Sequence, residues 1–80
     1  MKAHIHVTLK RGVLDPEGKA INNALGGLGF SGVENVRKGK YITLDLSETD
    51  KDQALSQVTQ MCEKLLANTV IEDYSIKLEA

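Results

Sequence analysis

The chain has no tryptophan, a single cysteine, a single proline and only three aromatic residues, Phe30, Tyr41 and Tyr74, among its 80 residues. One cysteine excludes an internal disulfide and points to a reducing compartment. No apolar run approaches the roughly 20 residues that a membrane-spanning helix needs. The start, Met1-Lys2-Ala3-His4-Ile5-His6, lacks the apolar stretch of a signal peptide. Neither sign of charge dominates, with ten basic residues against eleven acidic ones and a net charge of −1. That balance argues against a generic binder of phosphate backbones. What these absences leave is one small cytoplasmic domain spanning residues 1–80, with no second core and no obvious catalytic machine. A chain this short buries only about 60–65% of its unfolded surface, so it is marginal alone and gains from association.

What is present is patterning. Residues 3–11 alternate, with Ile5, Val7 and Leu9 on one side and His4, His6, Thr8 and Lys10 on the other, which predicts a strand with one buried face. Gly12 ends it. Leu14-Asp15-Pro16 is a helix start, with Asp15 able to cap the free N–H groups and Pro16 losing no helical bond. Ala20, Ile21, Ala24, Leu25 and Leu28 then form an apolar stripe. Gly18, Gly26 and Gly27 each weaken this helix by up to about 1 kcal/mol, so packing must hold it, and Gly29 suits a left-handed stop. Residues 33–38 predict a weaker strand, Gly39 a hairpin turn between Lys38 and Lys40, and residues 40–47 a strand whose Ile42, Leu44 and Leu46 share a face. A second helix starts at Thr49 or Asp50. Its stripe is Ala54, Leu55, Val58, Met61, Cys62, Leu65 and Leu66, and it fails near Asn68-Thr69. Residues 71–79 form the last strand, with Tyr74, Ile76 and Leu78 on one face. The order is βαββαβ: an α+β antiparallel sheet with two helices on one face, ferredoxin-like in plan, its sheet serving in dimerisation.

Chemistry-bearing residues are sparse. His4 and His6 share a strand face at about 7 Å, but no spaced Cys/His set supports a metal, and a solvated or interface face explains them better. Cys62 lies within an apolar stripe, where cysteine is core filler. Glu72 and Asp73 point to opposite faces of a strand and make poor acid/base partners; docking suits them better. The run Arg37-Lys38-Gly39-Lys40-Tyr41 looks superficially like part of an RNA-binding strand, but the stacking aromatics are missing. The residues alone thus favour a binding or assembly module over an enzyme.

Two segments say more. Lys10-Arg11-Gly12-Val13-Leu14-Asp15-Pro16-Glu17-Gly18 and Met61-Cys62-Glu63-Lys64-Leu65-Leu66-Ala67-Asn68-Thr69-Val70-Ile71-Glu72-Asp73-Tyr74, with Leu28-Gly29-Phe30 and Val36-Arg37-Lys38-Gly39-Lys40 between them, resemble the PurS family over essentially the whole chain. Thr69 departs from the family, which usually has proline there. The resemblance implies the small subunit of phosphoribosylformylglycinamidine synthase, a purine-biosynthesis ligase complex in which a glutaminase subunit releases ammonia and an ATP-dependent synthetase subunit consumes it. The implied role is to bridge those two subunits as a homodimer or higher oligomer. The complex would use ATP, Mg and glutamine, while this chain would bind no cofactor and carry no catalytic residues. The positions implied to face partners are Lys10, Arg11, Asp15, Arg37, Lys40, Asn68, Glu72, Asp73 and Tyr74. Nucleic acid and membrane are not expected as partners. The alternative of the same element order is an ACT-like module that binds a small molecule.

Overall fold

A computed structural model describes all residues from Met1 to Ala80. Strand β1 (Lys2–Leu9) is central, and β2 (Gly39–Asp45) and β3 (Glu72–Glu79) flank it, both antiparallel, in the order β2-β1-β3. The register sets Ile5 opposite both Ile42 and Ile76. A period of two therefore collects one apolar face, on which Ala3, Ile5 and Val7 are at most 1% exposed. Ile42, Leu44, Tyr74, Ile76 and Leu78 border it, half-buried.

Helix α2 (Lys51–Met61) covers this face. The Asp50 side chain caps it by accepting from the Asp52 N–H. Ala54, Val58 and Cys62, four residues apart, point inward and are fully buried. The helix runs on into a single π-helical turn, Cys62–Leu66, closed by the Ala67 N–H donating to the Cys62 carbonyl at 3.0 Å.

Helix α1 (Pro16–Gly27) starts where the sequence places it, with Asp15 as cap and Pro16 in the first position. It ends on Leu28 and the left-handed Gly29, φ +97°. It stands off the sheet: of its twelve residues only Gly18 is buried. The molecule is accordingly long, 49 × 26 × 15 Å, with a radius of gyration of 16.0 Å, where a compact chain of this length has about 12 Å.

The ferredoxin-like α+β plan stands, and the structure corrects details within it. Residues 33–38 form no ladder, so the sheet of this chain has three strands and both its edges are open. Gly39 opens β2 and is not a hairpin turn. The reason is competition for the backbone: Asp15 takes the Lys38 N–H at 2.8 Å, and the Val36 carbonyl sits so close to Gly18 that a Cβ there would lie 2.1 Å from its oxygen. The segment is held against the start of α1, not paired beside β2. Leu55 and Leu65, expected in the α2 stripe, face outward at 45% and 83% exposure.

Candidate interaction site

Three segments distant in sequence meet at one end of the sheet: the loop after β1, the run leading into β2, and the turn before β3. The Lys10 N–H donates to the Ile71 carbonyl at 2.8 Å. The Arg37 guanidinium donates to the carbonyls of Lys10, at 2.8 Å, and Val13, at 2.6 Å. Asp15 completes the clasp, one carboxylate oxygen accepting from Gly18 N–H at 2.9 Å and the other from Lys38 N–H. Those two peptide donors, Lys38 first, hold its carboxyl below the usual carboxylate range; burial opposes the shift and the Arg37 charge assists it. Beside it Lys38 pairs with Glu17 at 2.8 Å, which raises the ammonium pKa.

The turn before β3 is built by Asn68 and Glu72. The Asn68 carbonyl accepts from Ile71 and Glu72 N–H groups at 3.0 and 2.7 Å. Its side chain accepts from Val70 N–H at 3.2 Å. Glu72 returns a carboxylate to the Asn68 N–H at 2.7 Å and pairs with Lys40 at 3.7 Å. Alternation along β3 then turns Glu72 and Tyr74 toward the helix side and Asp73 toward the other face. Burial, with Glu63 beside it, raises the Tyr74 hydroxyl pKa.

Between these segments lies an open cleft of about 530 Å³ lined by Val7, Leu9, Asp15, Lys38, Lys40 and Glu72 among others. Most of its lining residues are polar or charged, and Val7 and Leu9 are the hydrophobic ones. Of the nine positions expected to face partners, Asp15 is committed inward and buried, and Lys40 and Glu72 line the cleft. Tyr74 borders the core, while Arg11, Arg37, Asn68 and Asp73 are exposed. Lys10 is half-buried and serves the clasp through its backbone.

Two further surfaces stand out, the first missed by sequence reasoning and the second expected from it as a solvated or interface face. One is apolar: Leu14, Leu28 and Phe30 around α1 are 71%, 74% and 59% exposed, with Leu65 and Val70 near the β3 turn. The glycine-weakened α1, of which only Gly18 is buried within its own chain, was the signal for it. The other is the outer sheet face, where His6 stacks on Tyr41 with ring centroids 4.6 Å apart. His4 there meets the Tyr41 hydroxyl through Nδ1 and the Glu79 carboxylate through Nε2, the latter at 3.1 Å. The alternation of His4 and His6 marks that face; its stack with Tyr41 depends on strand register. No group of three or more metal-ligating side chains forms. Cys62 is buried, and its thiol pKa is raised by burial first and by Glu63 second, the opposite of an activated nucleophile.

Comparison with known proteins gives a consistent answer. A family model described as PurS, phosphoribosylformylglycinamidine (FGAM) synthase, matches residues 2–80. The phosphoribosylformylglycinamidine synthase subunit PurS of Bacillus subtilis is 47% identical over 78 residues, 98% of this chain and 92% of that protein. The crystal structure of Methanocaldococcus jannaschii PurS, 46% identical, superposes with a TM-score of 0.87 over 98% of this chain and 94% of that one. A Thermotoga maritima structure described as PurLQS contains a chain that is 34% identical, with a TM-score of 0.87 over 95% of this chain and 93% of that one.

Proposed function

The chain belongs to the PurS family, and on that premise we propose that it is the small bridging subunit of a cytoplasmic phosphoribosylformylglycinamidine synthase. Residues 1–80 act as one domain that holds a glutaminase subunit and a synthetase subunit together. The reaction converts formylglycinamide ribonucleotide to its amidine with ATP, Mg and the amide nitrogen of glutamine, all handled by the partner subunits. The observation that carries this reading is the whole-length superposition on a chain of the Thermotoga structure named for an assembly, PurLQS.

The shape supports an assembly role. The chain exposes 5845 Å², whereas a compact protein of 8.7 kDa exposes about 4,700 Å². The excess is about 1,100 Å², more than the roughly 800 Å² that each partner contributes to a stable interface. Leu14, Ile21, Leu28 and Phe30, on and around α1, are among the exposed apolar residues, which supports a homodimer in which that helix is covered by a second copy. Free ammonia is a minor species at neutral pH, and only the free base attacks an activated amide. A rigid bridge that excludes water therefore raises transfer without contributing a catalytic group.

The test compares glutamine with ammonium chloride as nitrogen donor, with and without this chain, in a mixture of the two partner subunits. Omitting the chain should abolish glutamine-dependent amidine formation and leave the ammonium-dependent rate intact. Equal slowing with both donors would place the chain in the synthetase chemistry and end the bridging account.

A further inference from the structure

We infer that Arg11 and Arg37, with Asn35, form a docking socket for a carboxylate side chain of a partner subunit. The inference rests on the bridging role proposed above. The three side chains line a pocket of about 300 Å³ at the base of α1. Arg37 is fixed there by its two bonds to the carbonyls of Lys10 and Val13, which orient the guanidinium without neutralising it. Neither arginine makes an ion pair; the three ion pairs of the chain involve His4, Lys38 and Lys40. The Arg37 charge acts on Asp15, and both Asp15 oxygens already accept peptide N–H groups. The pocket is thus lined by two guanidiniums and no carboxylate.

Asn35 lies in the left-handed region, φ 56°, which asparagine visits more readily than other non-glycine residues. It places a side-chain amide beside the two arginines. The donor chemistry favours a carboxylate over a phosphate. Phosphate sites draw on convergent backbone N–H groups and open helix N-termini. Here the N-terminus of α1 is closed by Asp15, and the neighbouring Lys38 N–H is taken by the same side chain. Planar guanidinium groups pair bidentately with a carboxylate without needing those backbone donors.

The experiment measures assembly with the glutaminase and synthetase subunits by analytical ultracentrifugation, using wild type, Arg11→Glu and Arg11→Lys. Arg11 is exposed, so circular dichroism and thermal melting should match wild type. Arg11→Glu should weaken assembly at least tenfold and flatten its salt dependence, Arg11→Lys, which keeps the charge but loses the planar fork, should fall between it and wild type, and the homodimer should be unchanged. A wild-type chain that fails to assemble overturns the bridging reading and this inference with it. A wild type that assembles while Arg11→Glu assembles equally well overturns this inference alone. Loss of the homodimer in Arg11→Glu would make the occupant a second copy and overturn it too. So would a rise in melting temperature with millimolar inorganic phosphate that Arg11→Glu abolishes.

Discussion

The two helices of this chain are alike in local terms and opposite in their surroundings. α1 has twelve residues and α2 eleven, each is capped by an aspartate, and each carries an acidic residue in its first turn. α2 and the π-helical turn that continues it set Val58, Ala54 and Cys62 into the sheet; α1 buries one glycine. Caps and propensity start a helix, but burial supplies most of its stability. α2 is therefore a part of this chain's own core, whereas α1 leaves most of its surface uncovered. On the proposed homodimer, association rather than self-packing would hold this glycine-weakened helix.

That contrast is open to breakage first at its centre. Val58→Ala should cost about 2 kcal/mol, the lower end of core truncations to alanine. In a domain of this size that lowers the melting temperature by roughly 8–16 °C, at every protein concentration. Ile21→Ser on α1, 40% exposed in the single chain, should leave the dilute monomer within about 0.5 kcal/mol of wild type and remove the rise of stability with concentration. Denaturant melts at two concentrations, with sedimentation to fix the oligomeric state, read both. Equal losses in the dilute monomer would show that α1 packs on its own sheet.

Within α1 the glycines should divide. A Cβ on Gly18 would meet the Val36 carbonyl, whereas one on Gly26 or Gly27 meets nothing within 4 Å. Gly18→Ala should therefore cost about 1–3 kcal/mol by overpacking, and Gly26→Ala should stabilise the helix by up to about 1 kcal/mol. Thermal melts of the two variants decide it. A neutral Gly18→Ala would mean that the clasp between α1 and residues 36–38 is loose.

The clasp should also be visible in acid. The Asp15 carboxyl has a depressed pKa in the folded chain, so its stabilisation is complete above the unfolded-state value, about 4, and is lost as pH falls through the lower folded value. Asp15→Asn should be less stable than wild type at neutral pH, and the difference should narrow below about pH 4. A gap that stays constant down to pH 2 would remove the Asp15 charge from the account.

How much of this was legible beforehand follows the range of the forces involved. The strands around Ile5, Ile42 and Ile76 were readable because alternation is local and burial enforces it. The start of α1 was readable because Asp15 and Pro16 act on their own neighbours. The fate of residues 33–38 was not, because it turns on Lys38 meeting Asp15 across 23 positions. The outward turn of Leu65 was hidden for a related reason. A helical stripe assumes 3.6 residues per turn, and the π-helical turn at Cys62–Leu66 shifts the phase. At the site, family resemblance pointed to segments that the fold brings together at one end of the sheet, but the division of labour within them, Asp15 inward and Arg11 outward, is a matter of tertiary hydrogen bonding.

The smallest effects fall on neighbouring residues of the β3 turn, where the same contrast between self-packing and partner-facing surface recurs over one peptide bond. Glu72 closes the turn through the Asn68 N–H and lies beside Lys40. Glu72→Ala should cost about 1 kcal/mol, one net hydrogen bond, in the isolated chain. Asp73 points to the outer face, is exposed, and makes no ion pair. Asp73→Ala should change stability by less than about 0.5 kcal/mol, and a strand position does not favour aspartate. If this turn docks a partner, Asp73→Ala should weaken assembly with the glutaminase and synthetase subunits without moving the melting curve. Glu72→Ala should move both. Equal destabilisation of the isolated chain by the two variants would show that the turn is held as one unit, and an Asp73→Ala chain that assembles like wild type would remove this residue from the docking surface.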